Sequence, residues 1–402
     1  MNDLASKVGM ETRRPNPRTL KGPVVLVSLL GCVVLSTAVL TSLVCRKERI
    51  YKLDVRDGVR YVHNLKPASN KPVAGLAFVR KIGELEAKDP DYQFVRPISV
   101  AEDGQGNLFI LDDKDGCIKK FGPDRKFLLR FGRKGQGPGE FAYPMIVIAA
   151  ANGQLIVSTM SAEFHVFDNE GAYLKRFRLP PYRGISPAVL GSDRIVGYAF
   201  QNGGENNRNN HILAIFDFQE KLLHEFGEPY LLDTARKTWS ANFLSLAVGG
   251  DENIFVAFST LNRIEKYSAQ GKLIMSIDRT LPFEIAHRYG KSSIDVGGRV
   301  VSVDMPDFTP VNRGIGIDGK GRIWVLSVRK ALIRAQVPKD YDLRNDLAFE
   351  IYSSEGVLLS RLPFPREVAK FDNMTMRGDH IFFVDPFDQA CVYEYAVVDQ
   401  VK

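Results

Sequence analysis

The chain is poor in the residues that usually announce chemistry. Four cysteines in 402 residues are too few for a disulfide scaffold. Its six histidines, His63, His165, His211, His224, His287 and His380, form no His-x-His pair and no His-Glu-x-x-His, so the spacings that commonly mark a zinc site are missing. No Gly-x-Ser-x-Gly elbow occurs, which removes the sequence sign of an α/β-hydrolase nucleophile. Charge of one sign is scarce as well. Basic residues number 54 and acidic residues 47, but Lys7, Arg13, Arg14, Arg18 and Lys21 lie within the first 45 residues, against Asp3 and Glu11. A nearly balanced remainder does not supply the basic face that nucleic acid requires, and no nucleic-acid partner is expected.

Long apolar runs are also rare, with one exception. Pro23 to Cys45 carries no charge, and its length matches the roughly 20 residues a helix needs to cross a bilayer core. It exceeds the apolar core of a cleavable signal, and no small-x-small cleavage site follows it cleanly. The reading preferred is an uncleaved signal-anchor over 23–45 behind a basic tail, 1–22. Leu29-Leu30-Gly31-Cys32 resembles a lipobox, but the apolar run continues well past that cysteine, and ordinary cleavage is a further alternative. Basic residues flank both ends, including Arg46, Lys47, Arg49, Lys52, Arg56 and Arg60 on the far side. A bare count would keep that side in the cytoplasm. Long folded domains translocate largely regardless of charge, so a single-pass membrane protein with its globular part outside the cytoplasm, periplasmic or at the cell surface, is expected.

What the rest of the chain has in abundance is punctuation. In Phe94–Phe141 a turn at Asp103-Gly104-Gln105-Gly106-Asn107 precedes the apolar strand Leu108–Leu111, and two further short strands follow, at Ile118–Phe121 and Phe127–Phe131. Gly, Asn, Asp and Pro stand between them because each supplies a turn geometry that strands do not adopt. The first turn recurs as Asn152-Gly153-Gln154, Ser192-Asp193-Arg194, Asp251-Glu252-Asn253, Asp318-Gly319-Lys320-Gly321 and Arg377-Gly378-Asp379, each before an apolar strand. The last strand of the unit ends at Ile82, Phe131, Phe177, Phe226, Ile277 and Leu362, with spacings of 49, 46, 49, 51 and 85. Four-stranded units of about 40–50 residues are the mark of propeller blades.

The ends are the most informative part of this pattern. A fourth-type strand, Leu76–Ile82, precedes any first-type strand, while the last unit, Phe371–Ala396, has three strands and no fourth. Together they complete one blade, and a ring closed in that way leaves no unpaired edge. The expectation is an all-β, six-bladed propeller over 75–398, after a linker with a possible extra strand at 46–74. A sandwich would not repeat one turn chemistry six times, and a solenoid rung has fewer strands.

Gly132-Arg133-Lys134-Gly135-Gln136-Gly137-Pro138-Gly139-Glu140-Phe141, followed by Tyr143-Pro144 and preceded by Ala101–Asp112, resembles the hallmark of NHL-repeat propellers, and bacterial six-bladed proteins of that kind in particular. The likeness is strong over 94–144, weaker to 283 and faint in 311–396. It implies a propeller that is often secreted or membrane-anchored. The glycine-rich run itself has no Gly-Lys-Ser/Thr and no following helix, so it is read as a link between blades and not as a phosphate loop.

Strand order also sorts the loops. Asn202–Asn210 and Lys330–Asp346 join second to third strands, while Gly227–Ala241 and Phe283–Pro310 join blades, and all four belong to one face. Loops of such length on a rigid scaffold usually carry function. They bring aromatics and arginines, the types enriched at interfaces, to the mouth where the inner strands begin. Arg96, Tyr143, Trp239, Asn242, Arg313, Tyr341 and Asn373 are therefore the candidate partner-binding residues, the partner being a protein, peptide or glycan.

No catalytic residue, metal ligand or cofactor is assigned from the sequence. Some propellers are metal-dependent lyases or lactonase-like hydrolases that hold an ion on the axis through Asp, Glu and Asn, and Glu102, Asp103, Asn242, Asp304, Asp307, Asn312, Asp372 and Asn373 are the raw material here. None has distinctive spacing, so this enzyme remains the alternative. Cys117 and Cys391 precede third strands of neighbouring blades, which should separate them by more than the roughly 7 Å a disulfide tolerates between Cα atoms. Two buried thiols are expected.

Overall fold

The computed structural model describes residues 49–179, 187–199, 211–296, 299–331, 342–368 and 370–399; the apolar segment 23–45 lies outside them. Among the described residues no helix is long and apolar enough to cross a membrane.

Six antiparallel sheets follow one another around a ring. Blade 1 comprises Pro97–Glu102, Leu108–Asp112, Cys117–Phe121 and Phe127–Phe131, and blade 2 Pro144–Ala149, Leu155–Thr159, Glu163–Phe167 and Tyr173–Arg178. Blade 3 is built from Ala188–Leu190, Arg194–Tyr198, Leu213–Asp217 and Leu222–Phe226, and blade 4 from Leu244–Val248, Ile254–Phe258, Ile264–Tyr267 and Leu273–Arg279. Blade 5 holds Asn312–Ile317, Ile323–Val328, Leu347–Tyr352 and Leu358–Pro363. Blade 6 combines Asn373–Arg377, His380–Asp385 and Cys391–Asp399 with Ala74–Ile82 from the other end of the chain. That strand pairs with its C-terminal neighbour from Ala74↔Asp399 to Ile82↔Val392, which closes the ring. The innermost strands neighbour one another in an unbroken cycle.

The turns hold for a local reason. Asp103 Oδ1 accepts from the backbone N–H of Gln105 and of Asn107 at 2.8 and 2.9 Å, and Asp318 does the same for Lys320 and Arg322. Each carboxylate thus satisfies turn donors that no strand can reach. Apolar burial is divided among six clusters, one at each seam between blades. Phe109 and Leu111 of blade 1 pack against Val157 and Phe167 of blade 2, and Phe382 and Val384 of blade 6 against Val100 and Ile110 of blade 1.

The glycine-rich run is a short parallel clasp. Arg133–Lys134 pairs with Glu140–Phe141, Glu140 accepts from Gly137 N–H and from Arg133, and Phe141 lies over Gly132. A Cβ on Gly132, whose φ is +80°, would stand 2.4 Å from that ring. The link before blade 1 has the same build without the same composition: Gly83, also at φ +80°, lies under Phe94, and Glu84 bridges Gln93 in parallel.

Two parts differ from the sequence expectation. Residues 283–310, read as a loop, contain a hairpin, His287–Val296 paired with Arg299–Phe308. The segment read as a linker with one extra strand has two, Tyr51–Arg56 and Val59–Asn64. The second runs parallel to Leu273–Arg279, so blade 4 has six strands. Asn64 fastens it by donating to Gly356 O and Asp278 O and accepting from Leu358 N–H.

Candidate channel-mouth site

In five blades the start of the inner strand is tied to the end of the second strand by a backbone hydrogen bond. Asp113 donates to Arg96 O, Met160 to Tyr143 O, Ser259 to Phe243 O, Val328 to Val311 O and Asp372 to Val384 O. These bonds place the second connections and the inner-strand starts on one rim, the channel mouth.

Arg96 and Tyr143 are structural equivalents, each two residues after the buried phenylalanine of its clasp and each followed by proline. Arg96 donates from Nε to Asp113 Oδ1 at 2.6 Å and also pairs through Nη2. Asp112 beneath it is buried and accepts from the backbone of Val95 and Arg96. Tyr143 has φ +54° and is 77% exposed. An aromatic side chain in left-handed backbone costs energy, and burial does not offset it here.

Arg313 sits at a β-bulge of the blade 5 inner strand, between the Asn312↔Ser327 and Gly314↔Leu326 pairs. Ile98 and Met145 occupy the same bulge in blades 1 and 2. A bulge re-aims its extra side chain, and in blade 5 that side chain is a guanidinium. Arg313 reaches solvent, yet enough protein surrounds it that desolvation lowers its pKa, with Asp372 opposing. Asp372 also favours the charged form of Arg96, after the larger effect of the Asp113 hydrogen bond. Blades 5, 6 and 1 thus bring Arg313, Asp372 and Arg96 into one electrostatic group. Asn373, half-buried, begins the blade 6 strand beside Asp372.

Blades 3 and 4 give the mouth a different character. A short helix, Ala235–Ala241, is capped by Thr234. Its Trp239 meets Phe243 edge-on, with centroids 4.5 Å apart, and Tyr198 lies beside Phe243. His287 at the base of the hairpin meets Phe308 edge-on and lies at a tilt beside Tyr230. Asn242, placed among the binding candidates by sequence, is buried and its amide is spent on structure: it accepts from Tyr230 N–H and donates to Tyr230 O and Thr238 O. Tyr341 lies outside the described residues. Asp372, named only as raw material for a metal site, and Phe243 were not among the partner-binding candidates, and neither has a sequence signal for that role beyond its place before an inner strand.

Among the described residues one group of side chains has metal-like spacing, Glu102, His380 and Glu394. It lies at the opposite end of the blades. Arg125 already occupies it, donating to both oxygens of Glu394 and to Glu102 at 2.7–3.0 Å, so the residues present fit an ion-pair network better than a cation. Cys117 and Cys391 are free and buried, and burial pushes each thiol up to about 12. His165 is buried against Phe141 and Tyr173 without a hydrogen-bond partner on either ring nitrogen.

No family model matches the chain. Over 141 residues it is 25% identical to the Protein brain tumor of Drosophila melanogaster, a stretch covering 34% of this chain and 13% of that protein. The chain therefore spans a small part of that relative. Among solved structures it resembles a DUF4221 family member from Bacteroides vulgatus, with a TM-score of 0.54 and 8% identity over 81% of this chain and 99% of that one. It also resembles a Bacteroides fragilis protein predicted to be exported, with a TM-score of 0.53 and 11% identity over 85% and 100%. At such identities the likeness concerns the fold: this is a six-bladed propeller like those bacterial proteins.

Proposed function

We propose that the chain is a membrane-anchored, non-catalytic propeller, NHL-like in its first blades, that binds a protein, peptide or carbohydrate partner at its channel mouth. Residues 23–45 serve as the anchor, and the propeller lies outside the cytoplasm. The observation that carries the reading is Tyr143, an exposed aromatic kept in strained backbone beside the charged group of Arg96, Asp372 and Arg313. Exposed aromatics and arginines on a rigid rim are what a binding surface uses, and of the matching bulge residues Ile98, Met145 and Arg313 only Arg313 carries a charge. The aromatic side near Trp239 and Phe243 would suit an apolar side chain or a sugar face. The alternative is a metal-dependent lyase or hydrolase, lactonase-like, acting at the channel mouth.

The test is a glycan array and a displayed-peptide library, both probed with the full chain in neutral detergent. Ligands retained by the parent and lost by Arg313→Ala and Tyr143→Ala variants that melt normally support the mouth. Retention by both variants rejects it. Stoichiometric calcium or zinc in the purified protein would turn the reading toward the enzyme.

A further inference from the structure

A second charged group lies at the same rim, in the seam between blades 4 and 5. Its centre is Glu350, buried on the third strand of blade 5. Arg279, at the end of the last strand of blade 4, is buried with its Nε 2.5 Å from Glu350 Oε2. Arg361 donates from Nε to Glu350 Oε1 at 2.9 Å, and Arg329 Nη1 approaches the same oxygen at 3.6 Å. Three guanidiniums thus share one carboxylate. Ser327 and Tyr352 also donate to Glu350, so its acceptor capacity is largely used.

The other seams are differently balanced. Between blades 6 and 1, Arg125 meets two carboxylates, Glu394 and Glu102. Next to blade 3, Arg263 pairs with Glu265 one to one. In the seam between blades 4 and 5 the described Arg279, Arg329 and Arg361 outnumber the carboxylates facing them, Glu350 and the more distant Asp278. Like charges in partly desolvated surroundings repel strongly. Arg329 shows the consequence: desolvation first, then Arg361 and Arg279, lower its pKa. Arg329 and Arg361 keep about a third and a quarter of their side-chain surface open, so an incoming group can reach them, and the Lys330 that follows is exposed.

We infer that Arg329 and Arg361, backed by Arg279 across the seam, form an oxyanion subsite for a carboxylate- or phosphate-bearing small molecule or substituent. A planar guanidinium presents paired N–H donors that match such oxygens, and an anion there would neutralise the surplus. The subsite stands on this charge geometry alone. It holds or falls independently of partner binding at Tyr143 and Arg313.

The experiment uses the full chain in neutral detergent at constant ionic strength, titrated calorimetrically with inorganic phosphate and, separately, with acetate, chloride being the balancing ion. Saturable binding of at least one anion is expected, weakened about tenfold or more by Arg329→Gln, the loss of one charged hydrogen-bonding partner, and largely restored by Arg329→Lys. Phosphate alone or acetate alone identifies the chemistry of the ligand. The absence of saturable binding by either, or equal binding by Arg329→Gln, overturns the site. Because Arg329 is the most distant of the three from Glu350, its removal leaves the Arg279 and Arg361 pairs in place, and a normal melting curve of the variant checks this.

Discussion

Arg125 forks onto Glu394 across the seam where the ring closes, with Nε to Oε2 at 3.0 Å and Nη2 to Oε1 at 2.7 Å, between residues 269 apart in sequence. The turn of the first complete blade is thereby fastened to the blade built from both chain ends. Removing one partner of a buried pair leaves an uncompensated charge, at a cost of about 3–5 kcal/mol. Arg125→Ala is expected to lower the thermal midpoint by several degrees, while Arg133→Ala, at the exposed pair with Glu140, moves it little. Comparing the two melting curves checks the claim.

Glu394 at that closure and Glu350 between blades 4 and 5 give the ring a pH dependence. Burial raises the pKa of both, but Arg125 in one case and Arg279 with Arg361 in the other outweigh it, so each folded carboxyl lies below the ordinary range. The stabilisation is complete above the unfolded value of about 4.3 and is lost as pH falls through the folded values. Urea midpoints measured from pH 7 down to pH 3 should drop steeply below pH 5. Glu394→Gln should start lower at pH 7 and show a shallower decline.

His165 acts at milder acidity. Burial lowers its pKa, Glu163 opposing and Arg176 assisting, so the folded protein prefers the neutral ring. Below the unfolded value of about 6.5 the unfolded chain takes up the proton more readily, and stability falls with pH until the folded value is passed. His165→Phe removes two buried nitrogens without partners. It should be more stable by about 1 kcal/mol at pH 7, with a wider margin at pH 5.5, read from urea unfolding at the two pH values.

Tyr143→Gly separates stability from binding. Glycine adopts φ +54° without the steric penalty, about 1 kcal/mol, and the exposed ring contributes little packing. A higher thermal midpoint together with weaker capture of the mouth ligand is expected. Unchanged capture would remove Tyr143 from the binding surface.

Asn64→Ala should detach the added hairpin from blade 4. The side chain's three bonds reach the backbone of blade 4 at Asp278 and of blade 5 at Gly356 and Leu358, and leaving those groups unpaired costs about 1–3 kcal/mol. Faster hydrogen exchange at 51–64, in the Leu273–Arg279 strand beneath it and at the Leu358 amide that loses its acceptor is the expected signature.

The blade count and the six turns were legible in the chain because each depends on neighbours in sequence, and the closing strand because one end has a strand to spare and the last unit lacks one. Asp103 caps its own turn within four residues, and an alternating strand is recognised from a handful of positions. The mouth was legible only as a rim. Arg96, Tyr143 and Arg313 could be placed there by strand order, but Asn242 looks the same in sequence and is spent on the cap of a helix.

Sequence alone thus determined the repeating unit and the way the ring closes, through local turn chemistry and strand periodicity. Tertiary structure decided what the seams and the mouth are made of. Glu350 faces Arg279 of blade 4 and Glu394 faces Arg125 of blade 1, each brought by the adjoining blade. Those partners lie tens to hundreds of residues away, and a buried charge has no meaning until the group that faces it is known.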